Sequence, residues 1–155
     1  MNRIVIIGTQ PACPRCRLLT AVVSEKVKDM ELDAEVRHMA YSSEEAVAIA
    51  KKAGLTPGTA KDVARILDRK VDLHDKEAER DLETLDLTGL EPHLQPLAQL
   101  MREVWILDHR LRFFENKAQE AGILMTPVLV VNGKILHQGS MPGLDKIGAW
   151  LSELL

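Results

Sequence analysis

The chain has 155 residues, 46% of them hydrophobic and 28% charged, with a formal net charge of −3. That suffices for one hydrophobic core without disulfide or metal staples, and no apolar run approaches the ~20 residues of a membrane span. The acidic balance and an aromatic content of 3% argue against nucleic acid as a partner.

Met1-Asn2-Arg3 runs straight into Ile4-Val5-Ile6-Ile7, a run too short for a secretory h-region. The expected compartment is the cytosol, where structural disulfides are rare. Residues 4–7 read as a buried strand ended by Gly8. Pro11 forbids its continuation, so residues 9–12 form a loop. From residue 14 to 28, Leu18, Leu19, Val22, Val23 and Val27 share one helical face, and Pro14 suits the first turn. Residues 33–39 alternate and read as a second strand, parallel to the first through that helix.

Residues 42–112 read as helical throughout. Ser42-x-x-Glu45 has the form of a capping box, and the helix after it stops at Gly54. Thr56-Pro57 opens another short helix carrying Ala60, Val63, Ala64 and Leu67. Residues 50–67 have the outline of a helix-turn-helix, but the acid-rich stretch over 72–91 would repel phosphate. That stretch reads as a solvated helix or loop anchored by Leu82, Leu85 and Leu87. A long helical pattern follows from residue 94 to 121, spanning roughly 40 Å at 1.5 Å per residue. Its Trp105, Phe113 and Phe114 read as core residues. Thr126-Pro127 then precedes the strand Val128-Leu129-Val130-Val131. Asn132-Gly133 marks a type I′ hairpin turn before Lys134-Ile135-Leu136-His137. A last amphipathic helix carries Leu144, Ile147, Trp150, Leu151 and Leu154. The order is β-α-β, a helical insertion over about 42–112, then β-β-α. This predicts a single α/β domain whose two β ends share a mixed sheet of about four strands.

The two cysteines of the chain, Cys13 and Cys16, form one Cys-Pro-Arg-Cys motif at the predicted helix start. A thiolate is the nucleophile in disulfide exchange, and a helix N-terminus lowers a thiol's pKa. Cys13 is therefore the expected nucleophile. Cys16, one turn further in, is the expected resolving thiol. Arg15 either adds positive charge at the site or points into water. Half a zinc site is the competing reading. Neither His38, His74, His93, His109 nor His137 shows ligand spacing to another, so zinc or an iron–sulfur centre would need a second chain or distant histidines. His109 would tune Cys13 if the long helix packs over the motif, but it and His38 read more simply as surface residues.

Gly8-Thr9 with Cys13-Pro14-Arg15-Cys16, and Met125-Thr126-Pro127-Val128-Leu129-Val130-Val131-Asn132-Gly133-Lys134, resemble the small thioredoxin-like redox-disulfide proteins. The resemblance covers residues 1–40 and 113–155. It implies a thioredoxin-like fold, a redox-active dithiol at Cys13 and Cys16, and a cis peptide before Pro127. The helical insertion is placed as in disulfide oxidoreductases of the DsbA type. The expected function is thiol–disulfide exchange with no cofactor. The disulfide partner would be a protein, with a small molecule as the alternative, and an unidentified reductant or oxidant the second partner. Pro14, Arg15, Met125, Thr126 and Pro127 would form the substrate-binding surface, with the backbone of Met125 or Thr126 open to an extended chain. No membrane or nucleic acid is expected, and the inserted helices offer a candidate homodimer surface.

Overall fold

The computed structural model describes residues 1–70 and 76–155. His74 and the first part of the acid-rich stretch, residues 72–75, lie outside them. In chain order the first half holds β1 (Asn2–Gly8), α1 (Pro14–Asp29), β2 (Ala34–Ala40), α2 (Glu44–Lys52), β3 (Thr56–Gly58) and α3 (Ala60–Ile66). The second half holds α4 (Lys76–Glu83), a 3-10 helix (Pro92–Leu97), α5 (Ala98–Ala118), β4 (Ile123–Met125), β5 (Val128–Val131), β6 (Lys134–Gln138) and α6 (Leu144–Ser152). No helix among the described residues is long and apolar enough to cross a membrane.

One sheet has the order β2-β1-β5-β6. The β1–β2 pair is parallel, with Ile4 opposite Val36 and Ile6 opposite His38. The β1–β5 and β5–β6 pairs are antiparallel. Because successive strand residues point to opposite faces, β1 feeds two cores. Ile4 and Ile6 pack with Leu18, Leu19, Val22, Met101, Ile147 and Leu151. Val5 and Ile7 pack with Ala46, Ala50, Val128 and Val130 on the other side. Covered on both faces, β1 reads as a continuous apolar run rather than an alternating one. Burying each such Leu or Ile side chain stabilises by about 1.5–3 kcal/mol. At the hairpin, Asn132 and Gly133 take φ of 49° and 82°, the positive values that a type I′ turn requires.

The insertion departs from an all-helical block at three points. Thr56–Gly58 is a strand, not a helix start, because it pairs in parallel with Ile123–Met125. Pro57 is tolerated there because its missing N–H is not asked for. The bonds seen at the ends of the ladder run from Thr56 N to Gly122 O and from Thr126 N to Gly58 O. Helix α3 begins only at Ala60, under a capping box of Thr59 and Asp62. With β3 between α2 and α3, residues 50–67 form no helix-turn-helix. Helix α2 is capped by Ser43, whose Oγ accepts from Ala46 N, and not by Ser42. Glu45 is turned instead to Arg3. The long helical pattern breaks after Leu97: a 3-10 turn containing Pro96 precedes α5. Leu87 is buried, whereas Leu85 is exposed.

Trp105 packs on the main core, and Phe114 is buried beside α3 in a third cluster that includes Leu111 and Met125. Phe113 faces solvent at 42% exposure, under the guanidinium of Arg69.

Candidate active site

Strand β1 ends at Gly8, and the loop that follows delivers Cys13 to the N-terminus of α1. Thr9 shapes this loop: its Oγ1 donates to Pro11 O and accepts from Cys13 N, both at 2.9 Å. The Gln10–Pro11 peptide within the loop is cis. Cys13 is the N-cap residue, its backbone extended at φ −70° and ψ 166°, and its Sγ accepts from Cys16 N at 3.5 Å. Pro14 occupies the first helical position, where no N–H is needed.

The two sulfurs are unbridged and 3.1 Å apart, a hydrogen bond in which Cys16 is the donor once Cys13 is ionised. Cys13 is partly exposed and Cys16 is fully buried. Four influences favour the Cys13 thiolate against the cost of burial. The Cys16 hydrogen bond is the largest, followed by the Cys16 amide, the charge of Arg15 and Thr9. Together they bring the thiol down to about 5. The same hydrogen bond and burial push Cys16 far up, so at neutral pH it keeps its proton. The structure thus separates an acidic, accessible thiol from a protected one.

Gly8 leaves room for the buried thiol. A Cβ there would collide with Cys16 Sγ and come within 2.8 Å of His38 Nε2. His38, expected at the surface, is half-buried on β2. Its Nδ1 faces Gln10 Nε2 at 3.4 Å, and its Nε2 is enclosed without a hydrogen-bond partner among the described residues. Burial lowers its pKa, which keeps the ring neutral beside the dithiol despite the pull of Cys13.

Arg15 does not point into water. It is 4% exposed and ties three elements together behind the cysteines. Nη1 donates to Asp108 Oδ1 at 3.2 Å and to Gly139 O at 2.6 Å, and Nη2 donates to Thr126 O at 3.1 Å. Asp108, also buried, accepts from Met141 N at 3.0 Å through its other oxygen. Burial raises the Asp108 carboxyl to about 6, outweighing the guanidinium and the Met141 amide that favour its charged form. The sequence signal for this pair is an acidic residue on the apolar side of α5, three residues before Leu111. Arg15, expected in the substrate surface, lines the cavity beside Cys13 while both of its terminal nitrogens donate to the chain's own atoms.

Helix α5 does pack over the motif, but it presents Leu107, Asp108 and Leu111 there, while His109 is exposed. The Thr126–Pro127 peptide is cis. Thr126 lies against the same cavity as Cys13, so the two halves of the chain meet at the site. The expectation of an open backbone at residues 125–126 is not met. Gly58 O accepts from Thr126 N at 2.9 Å, and Gln138 Oε1 accepts from Met125 N at 2.8 Å. Strand β3, absent from the sequence reading, takes that edge. The cavity beside Cys13 measures about 320 Å³ and is lined by Thr9, Arg15, Thr59, Ala60, Lys61, Leu107, Leu111 and Thr126. Among the described residues, the one group of three side chains close enough to share a metal is Asp29, Glu91 and His93; it includes neither cysteine.

A mixed four-stranded sheet with a dithiol at the first helix N-terminus and a proline loop facing it is a thioredoxin-like fold. A family model described as "Thioredoxin domain" matches residues 109–152, the segment from late α5 through α6 that includes Pro127 and the hairpin but not the cysteines. Fold and match together support a thioredoxin-superfamily protein, the match covering less than a third of the chain, and the adjacent Cys13–Cys16 pair suggests a redox function. No curated protein and no solved structure matches the chain.

Proposed function

We propose that this protein is a cytoplasmic thiol–disulfide oxidoreductase in which Cys13 attacks and Cys16 resolves. The observation that carries the reading is the asymmetric pair: sulfurs 3.1 Å apart, one partly exposed at a helix N-terminus and acidified, the other buried and protonated. The Cys13 thiolate attacks one sulfur of a substrate disulfide. A mixed disulfide forms and the first substrate thiolate leaves, taking a proton from water. Cys16 then gives up its proton and attacks Cys13 Sγ. The internal disulfide forms, and the second thiolate departs with the electron pair of the broken bond. Two electrons have passed to the substrate, and an external dithiol restores the enzyme. Arg15 holds the Thr126–Pro127 turn against the cysteines through the Thr126 carbonyl, and Thr126, not the buried Pro127, lines the cavity through which substrate reaches them.

The test is turnover of two disulfides, dithiodihexanoate and insulin, with dithiothreitol as the dithiol donor. The protein is expected to accelerate reduction of at least one, and Cys13→Ser to return that rate to the protein-free value. No acceleration of either would contradict the reading. So would stoichiometric zinc or iron in anaerobically purified protein that is lost on replacing either cysteine, which would assign the thiols to metal binding.

A further inference from the structure

An extended peptide docks on a sheet edge through free backbone N–H and C=O groups. Beside Cys13 both backbone groups of Thr126 and the N–H of Met125 are taken. Thr126 N donates to Gly58 O at 2.9 Å, and Thr126 O accepts from Arg15 Nη2 at 3.1 Å. Met125 N donates to Gln138 Oε1 at 2.8 Å. An incoming strand would have to displace β3 and then find the Thr126 carbonyl still engaged by a buried guanidinium.

The space left beside the nucleophile is the 320 Å³ cavity, at the lower end of the size range for small-molecule sites. Its wall is largely hydrocarbon, with Ala60 from α3 and Leu107 and Leu111 from α5. Two cations line it. Arg15 is committed to Asp108 and two carbonyls. Lys61 is exposed and paired with no carboxylate among the described residues.

From this we infer that Cys13 acts on a small disulfide carrying an apolar chain that ends in a carboxylate, and not on a polypeptide strand. The chain lies against Leu107 and Leu111, and the carboxylate reaches Lys61. This rests on the thiol–disulfide reading above and specifies its substrate class. The exchange is unchanged in its balance: Cys13 S⁻ and R–S–S–R give Cys13–S–S–R and RS⁻. Cys16 then releases the second RS⁻ as the internal disulfide forms, and a dithiol reductant recharges the pair.

The test follows mixed-disulfide formation in Cys16→Ser by intact mass, in a single turnover that needs no donor. The probes are dithiodihexanoate, its uncharged diamide and insulin. Each rate is divided by that of the same disulfide with dithiothreitol, which removes intrinsic reactivity. Burial of several methylenes predicts a normalised rate for dithiodihexanoate at least about tenfold above that for insulin. The exposed lysine predicts an acid-over-diamide preference of about threefold to fivefold, which Lys61→Ala is expected to remove. Insulin reacting as fast as the small acid would overturn the inference and leave the oxidoreductase reading standing. Equal rates for acid and diamide would overturn the assignment of Lys61. If no probe forms a mixed disulfide with Cys13, the oxidoreductase reading falls and the inference with it.

Discussion

Arg15→Met is expected to destabilise the reduced protein by about 3–5 kcal/mol, read as a lower urea midpoint, because it leaves a buried partner uncompensated. Asp108 is 3% exposed, and Arg15 is the cation that touches it. The variant also strips donors from Gly139 O and Thr126 O. The loss therefore extends from the helix to the proline loop and the end of β6. The double variant Arg15→Met/Asp108→Leu is expected to recover most of the loss. Two apolar side chains of similar volume remove both charges together, and such replacements are often neutral or stabilising. Its thiol chemistry should not recover in parallel, because the Thr126 carbonyl still lacks its donor and Cys13 has lost a nearby positive charge. A single variant as stable as the wild type would show that Arg15 does not hold the site together.

The second large effect is on reactivity. Alkylation of Cys13 by iodoacetamide is expected to be flat between roughly pH 6.5 and 8 and to fall with a midpoint of about 5. Cys16→Ala removes the largest influence on that thiol, the hydrogen bond from Cys16. The midpoint should then rise by at least about one unit, toward the ordinary thiol value. The sign for stability follows from the same shift. Cys13 is depressed in the folded state, so its contribution is complete only above the unfolded thiol's pKa of 9.0, and it is lost as pH falls through about 5. The reduced wild type should therefore gain stability as pH rises across that window, and Cys13→Ser should gain less. A midpoint near 9 in the wild type would mean that the geometry at the helix N-terminus does not acidify the thiol.

The parts of the fold that local chemistry dictates were legible in the sequence. Residues 4–7 read as a buried strand, Pro14 suits the first turn of the helix, and Asn132-Gly133 encodes its turn through positive φ. The roles proposed for Cys13 and Cys16 are suggested by position alone, one at the helix N-terminus and one a turn inside it. What escaped was decided by contacts distant in sequence. Thr56-Pro57-Gly58 carries turn and breaker residues and becomes a strand only because Ile123–Met125 lies beside it. That pairing in turn closes the backbone at Thr126, which Thr-Pro by itself suggests is open. Arg15 looks like a surface cation until Asp108, 93 residues later, is placed opposite it. His38 alternates with outward-facing Glu35 and Arg37. Its burial depends on Gly8 leaving space on the neighbouring strand.

Thiol trapping across a series of redox buffers tests the central claim most directly, with wild type, Cys13→Ser and Cys16→Ser compared by intact mass. The wild type should convert in one two-electron step to an internal Cys13–Cys16 disulfide. Cys16→Ser should instead accumulate a mixed disulfide with the buffer thiol, and Cys13→Ser should accumulate none. A wild type that forms no internal bridge at any potential, together with a Cys16→Ser variant that captures no thiol, would contradict the account.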